Sequence, residues 1–139
     1  METNNSELDQ WIATLEKKPE VKAFLNKVIS EPEIIPILIE IIKINKGSVK
    51  FYCEKIIRMV SERKSSLVYP YFNDIAQLIE SSNNFIKWGA IITLSNIVSE
   101  DVGSKFEDVY ERYFSMFNSD SMITAGNAVR NAWKIVLIA

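Results

Sequence analysis

Residues 84–97 of the chain read NFIKWGAIITLSNI. Within this stretch Leu94 follows Ala90 by four positions and Ile97 follows Leu94 by three, a spacing that puts all three on one face of an α-helix. A small residue, then an apolar or small one, then an aliphatic one occur at this spacing three times: Cys53/Ile57/Val60, Ala90/Leu94/Ile97 and Ala128/Ala132/Ile135. Successive triplets are 37 and 38 residues apart. A repeat of this length predicts an array of helical hairpins that bury their cores by stacking.

The helical spacing of apolar residues continues along nearly the whole chain, which predicts an all-α protein of about eight helices. The predicted helices cover residues 6–17, 19–30, 33–45, 49–63, 67–80, 85–99, 104–117 and 120 or 121 to 139. We expect one domain over residues 1–139, with N-terminal capping helices in 1–31 and repeats in 32–63, 67–99 and 104–139.

Capping residues and prolines set the expected helix ends. Helix starts are predicted at three sets of capping residues: Ser48, Asn83 or Asn84, and Ser104 with Glu107 as a capping box. Pro36 is expected to delay or kink its helix, whereas Pro70 falls in the first turn of the next one, where a missing N–H is tolerated.

The composition fits a domain with a real core and gives no sign of a charged partner. The chain has 139 residues, 47% of them apolar, and a formal net charge of −2. This balance does not favour nonspecific binding to nucleic acid or to a membrane surface. No apolar run approaches the length of a membrane span, so we expect a cytoplasmic protein.

The residue types that most catalytic and metal sites need are scarce. The chain has no histidine, and a zinc site would need at least three other ligands beside its single cysteine, Cys53. Cys53 takes the small position of its triplet, which predicts a buried, inert thiol. Its four glycines form no phosphate-binding motif. We therefore predict no catalytic residue, no cofactor and no metal.

Residues 84–97 resemble the second helix of a HEAT repeat, in which a basic residue and small residues lead into an Ala…Leu…Ile core. Residues 125–136 resemble the next such helix, and residues 48–60 match more weakly. The resemblance covers about residues 32–139. It implies a right-handed α–α superhelix of antiparallel helix pairs and a role as scaffold, adaptor or regulator. It carries no catalytic motif onto this chain.

The last residues, WKIVLIA at 133–139, are apolar apart from Lys134, where a solenoid normally has a polar capping face. We expect that the array is longer than this chain or that another chain covers its end. Self-association through this repeat is one form of the second alternative.

In HEAT arrays the second helices line the concave face, so the resemblance makes their polar side chains a candidate ridge for a partner. The ridge comprises Lys55, Asn96, Asn127, Arg130, Asn131 and Lys134. The last four fall within about 100° of arc on one helix. Arginine and asparagine offer directional hydrogen bonds to carboxylates or backbone. The alternative is a solvated face on which any charge would serve.

The aromatic residues of the first helices are interpreted as core and inter-repeat packing, since they recur at helical spacing. Trp88 and Trp133 lie off the apolar stripe of their helices. Each is interpreted as a wedge between repeats, and the alternative is an exposed anchor for a partner.

Three functions remain open at this point. The first is a non-catalytic protein-binding scaffold or adaptor that uses the concave face. The second is nucleic-acid binding of the DNA alkylation-repair type, because one branch of HEAT-like proteins wraps DNA; it would require a basic concave face, and the pI is about 5.3. The third is an accessory subunit of an enzyme complex, which would need a pocket between repeats if it held a ligand.

Overall fold

A computed structural model of the chain describes residues 5–44, 47–100, 107, 110–115 and 122–136. The α-helices in these residues are α1 (Asn5–Glu16), α2 (Val21–Ser30), α3 (Ile35–Ile44), α4 (Val49–Arg63), α5 (Ser65–Val68), α6 (Phe72–Leu78), α7 (Asn84–Ile97), α8 (Tyr110–Ser115) and α9 (Met122–Val136). Short 3₁₀ turns occupy Pro32–Ile34, Tyr69–Tyr71 and Val98–Glu100. All regular secondary structure within these ranges is helical, which confirms the all-α prediction.

Two prolines explain the observed start of α3 and the break between α5 and α6. Pro36 lies in the first turn of α3, which begins at Ile35 after a 3₁₀ turn, so the predicted delay is observed. The prediction of one helix over residues 67–80 is wrong, since α5 ends at Val68 and α6 begins at Phe72. Pro70, which lies between α5 and α6, has no N–H to donate and its ring clashes with the preceding turn.

The predicted caps differ in how they act. Asn83 caps α7, because its side-chain oxygen accepts a hydrogen bond of 3.2 Å from the Ile86 N–H. Ser48 immediately precedes α4, as predicted, but it makes no side-chain capping bond. The predicted capping box depends on Ser104, which lies outside the described residues.

The helices that carry the three triplets lie next to one another. Helix α7 packs against α4 on one side and against α9 on the other, while α3 packs on α4 and α6 packs on α7. Every triplet residue is buried except Ala132, which is half-buried. This order agrees with stacked hairpins, and the α–α superhelix itself stays a prediction.

The core is continuous across these helices. Fully buried aliphatic side chains come from α3, α4, α6 and α7, among them Leu38, Val60, Ile75 and Leu94. Burying one such side chain contributes about 1.5–3 kcal/mol. Because α3 packs on α4 and α6 packs on α7 around this one core, the face of α4 and α7 that points away from it is left to form a surface.

The turn between α1 and α2 contains a residue in the left-handed conformation, Lys18, with φ of 52°. Its N–H donates to the Leu15 carbonyl at 2.9 Å and so closes the end of α1. The Tyr52 hydroxyl donates to the Pro19 carbonyl at 2.8 Å, which ties this turn to α4. The N-terminal helices are thus tied to α4 through a turn that requires a left-handed residue. Glycine adopts this conformation more easily than lysine.

We expect Lys18→Gly to raise the free energy of unfolding by about 0.5–1 kcal/mol, because glycine removes the left-handed penalty and this gain exceeds its extra entropy in the unfolded chain. Urea denaturation measures the change. The matched control is Lys17→Gly at the adjacent position, where φ is not positive and the same substitution lowers stability. Equal destabilisation by both variants would contradict the assignment.

Candidate functional site

An open cleft of about 520 Å³ lies between α4 and α7 and is bordered by α9. Its lining residues are Phe51, Glu54 and Arg58 from α4, Phe85, Trp88, Gly89 and Ile92 from α7, and Asn127 from α9. The α4 positions are spaced three and four apart, and on α7 Trp88, Gly89 and Ile92 follow Phe85 by three, four and seven positions, as one face of a helix requires. We refer to this site as the α4–α7 cleft.

An exposed aromatic cluster forms one side of the α4–α7 cleft. The ring centroids of Phe51 and Phe85 are 6.0 Å apart and those of Phe85 and Trp88 are 5.4 Å apart, both edge to face. Phe85 is 65% exposed and Phe51 is 37% exposed. Connected apolar surface of this kind on a folded chain marks interaction sites.

Trp88 belongs both to this cluster and to the packing between repeats. Its indole N–H donates to the Thr124 hydroxyl oxygen on α9 at 2.8 Å, so the ring is fixed between α7 and α9. The same half-buried ring lines the cleft. The interpretation as a wedge and its alternative as a surface anchor therefore both describe part of its role. The side chain of Trp133 lies outside the described residues.

An ion pair lies within the α4–α7 cleft. Arg58 Nε donates to Glu54 Oε1 at 2.9 Å, and Arg58 Nη2 approaches Oε2 at 3.4 Å. The Glu54 side chain is only 12% exposed, whereas that of Arg58 is 32% exposed. Burial raises the pKa of the Glu54 carboxyl, and the charge and hydrogen bond of Arg58 oppose this rise without cancelling it.

Gly89 makes room for the Glu54 carboxylate between α4 and α7. A Cβ atom at Gly89 would overlap the Glu54 side chain at Oε1 and Cδ. A glycine inside a helix is otherwise unfavourable by about 1 kcal/mol relative to alanine. The site therefore combines a buried charge with a residue that weakens its own helix.

The two glycines of α7 and α9 provide a direct test of this contact. We expect Gly89→Ala to lower the free energy of unfolding by about 1–3 kcal/mol, because the Glu54 carboxylate must leave its place and its partner. Gly126→Ala in α9 is the control: its Cβ would meet nothing within 4 Å. This variant should raise stability by about 1 kcal/mol through helix propensity alone. Thermal or urea unfolding of the pair measures both, and a gain in stability for Gly89→Ala would contradict the contact.

Glu54 should also give stability a specific pH dependence. Its pKa is raised above the ordinary value of 4.5, so the folded state binds the proton more tightly than the unfolded state. Its contribution is fully present below pH 4.5 and is lost as the pH rises through the raised pKa. We expect the stability of the wild type relative to Glu54→Gln to fall across that window. Urea denaturation of both proteins at several pH values measures it, and a flat or rising difference would contradict the burial of this carboxyl.

Two members of the predicted ridge meet in a polar chain that crosses three helices. Lys134 Nζ on α9 donates to Asn96 Oδ1 on α7 at 2.7 Å. Asn96 Nδ2 donates in turn to the Ser61 hydroxyl oxygen on α4 at 3.1 Å. Burial lowers the pKa of Lys134, while the charge of Glu62 opposes this shift. These polar groups therefore bind one another and connect the repeats.

The other four ridge residues lie in different surroundings. Asn127 and Asn131 are buried, and the side-chain amide Nδ2 of Asn131 donates to the backbone carbonyl of Asn127 at 2.8 Å. Lys55 and Arg130 are exposed. Of the six, Asn127 lines the α4–α7 cleft. The role of the ridge in binding a partner stays a prediction.

Sequence reasoning named Trp88 and Asn127 as candidates but missed the other residues that make the cleft, above all Glu54 and Phe85. The available signals were a glutamate beside the apolar stripe of α4 and a glycine inside α7. Neither residue by itself predicts a contact with the other, because the contact between Glu54 and Gly89 depends on how α4 and α7 are placed relative to each other.

Other chemistry in the described part of the chain is limited. Cys53 is buried, as predicted, and burial raises the pKa of its thiol to about 12. No group of three or more Cys, Asp or Glu side chains within the described ranges is placed to hold a metal ion. None of the described helices has the length and apolar character needed to cross a membrane.

Comparisons of the chain with protein-family models, with curated proteins and with solved structures find no match.

Proposed function

We propose that this chain is a non-catalytic scaffold or adaptor that binds a protein partner in the α4–α7 cleft. The observation that carries the proposal is the aromatic cluster of Phe51, Phe85 and Trp88 beside a cleft, in which Phe85 is 65% exposed. Aromatic side chains in such positions are the residues that most often anchor a protein interface. The helix order α4, α7, α9 supports the further proposal that the repeats form a HEAT-like solenoid.

The charge of the cleft favours a protein partner over nucleic acid. Among the described residues that line the cleft, Arg58 is the one basic side chain, and it is paired with Glu54. A site that follows a phosphate backbone needs several uncompensated cations. An accessory subunit of an enzyme complex would use the same cleft, with the enzyme as its partner.

Affinity capture from the source cells, with nuclease present, tests the proposal. We expect a protein to be retained by the wild type and its recovery to fall at least about tenfold with Phe85→Ser, because truncating an interface anchor costs about 2 kcal/mol or more. Quantitative mass spectrometry of the captured proteins measures the loss.

The control is Ile44→Ser. Ile44 is 49% exposed on α3 and does not line the cleft, so the change removes a comparable apolar side chain from another surface. Circular dichroism and urea denaturation verify that both variants fold. Equal recovery of the protein with Phe85→Ser and with wild type would overturn the proposal. So would capture of nucleic acid without nuclease together with capture of no protein when nuclease is present.

A further inference from the structure

The Glu54 carboxylate has acceptor capacity that its own partner does not fill. An ionised carboxylate has about four acceptor positions. Among the described residues, the hydrogen bonds that Glu54 accepts are the two from Arg58, and one of them is long at 3.4 Å. The remaining exposed part of this side chain opens into the α4–α7 cleft. A donor brought by a ligand would therefore find an acceptor already in place.

The ligand charge that would complement the Glu54 carboxylate is positive. Burial raises the pKa of Glu54 even with the Arg58 guanidinium beside it, so one cation does not compensate the buried negative charge. A second cation in the cleft would stabilise the carboxylate, and a second anion would repel it. Arg58, held by Glu54 in an i,i+4 pair, is left with 32% of its side chain exposed.

The walls of the cleft suit a cation that is carried on an apolar stem. Aromatic faces attract ammonium and guanidinium groups. Phe51 already shows this behaviour, because the Lys50 ammonium lies 5.3 Å from its ring centroid. Trp88 and Ile92 provide apolar surface for the methylene groups of a long side chain.

A neighbouring cleft extends the same charge preference. It measures about 530 Å³, shares Phe51 with the α4–α7 cleft and reaches the turn between α1 and α2. Its lining includes Glu16 and Glu20 against Lys18. Among the described lining residues, a segment that crosses both clefts would meet the carboxylates of Glu54, Glu16 and Glu20 and the cations of Arg58 and Lys18, with the Lys50 ammonium near the ring of Phe51. Exposed charges of this kind guide a basic partner more than they hold it.

Together these observations point to a partner of defined chemistry. We infer that the α4–α7 cleft binds a lysine or arginine side chain of a basic segment in the protein partner, with its charge against Glu54 and its stem along the aromatic cluster. This inference deepens the proposed function and rests on it.

The test uses five-residue peptides Ac-Ala-Ala-Xaa-Ala-Ala-NH2 and the full chain. Xaa is lysine, arginine, their neutral counterparts norleucine and citrulline, or glutamate. NMR titration follows the Trp88 indole N–H, assigned with Trp88→Phe, and the Gly89 amide. We expect the two cationic peptides to bind at least about tenfold more tightly than their neutral counterparts.

Three variants separate the roles of the charges. Glu54→Gln should abolish the preference for cationic peptides, whereas Glu62→Gln, the same change at an exposed position of α4, should leave it intact. Arg58→Gln should strengthen cation binding, because it removes the internal competitor for Glu54.

The opposite pattern would overturn the inference. Tightest binding of the glutamate peptide, lost with Arg58→Gln, would identify an anion site. Equal binding of charged and neutral peptides, or no shift of either resonance with the cationic peptides up to their solubility limit, would exclude recognition of a cation. If partner capture still depends on Phe85 in any of these cases, the proposed function stands and this inference alone fails.

Discussion

Helix α7 is in contact with α4, α6 and α9 at once, and this position constrains the rest of the structure. A helix packed on three sides needs apolar or small residues around most of its circumference. Its buried positions accordingly include Gly89, Ala90, Thr93 and Ser95 beside the larger aliphatic residues. The buried Ser95 hydroxyl donates to the Ile92 carbonyl of the same helix, so it needs no partner from a neighbour. The small residues allow close approach of the neighbouring helices, and the aliphatic ones fill the remaining core.

The cleft follows from the same constraint. Close packing at Gly89 brings α4 and α7 together where Glu54 lies, and the carboxylate is buried against a helix that has no side chain there. Farther toward the start of α7, Phe85 extends away from the core and contacts Phe51 and Trp88. A helix that is well packed along most of its length thus carries an aromatic surface at its N-terminal half, next to the charged side chains of Glu54 and Arg58 on α4. That combination is the basis of the proposed binding of a partner.

Polar side chains on the second helices serve two different purposes. Asn96, Lys134 and Ser61 bind one another across α7, α9 and α4, which satisfies their hydrogen-bonding groups within the fold. Glu54 and Arg58 also pair, but they do so in a cleft where a ligand can compete. The distinction is one of location and not of charge alone, since Lys134 is charged and yet belongs to the chain that connects the repeats.

Much of the fold could be predicted from local patterns. Helical periodicity, the Asn83 cap and the burial of the triplets depend on neighbours within a few turns, so they are legible in the sequence. The break at Pro70 was missed because a proline is tolerated in a first turn, and only the observed register places it between two helices. The candidate site was harder, because a helical wheel gives the direction of a side chain but not the residue on the next helix that meets it.

What the sequence by itself determined is therefore the all-α class, the repeated triplet and the helices that carry it. What only the tertiary structure decided is which polar residues bind one another between the repeats and which line the α4–α7 cleft. Asn96 and Lys134 form one connected chain, and Glu54 lies over Gly89, because α4, α7 and α9 adopt one particular rotation and shift relative to each other. That placement results from packing of whole helix faces, which no single helix contains.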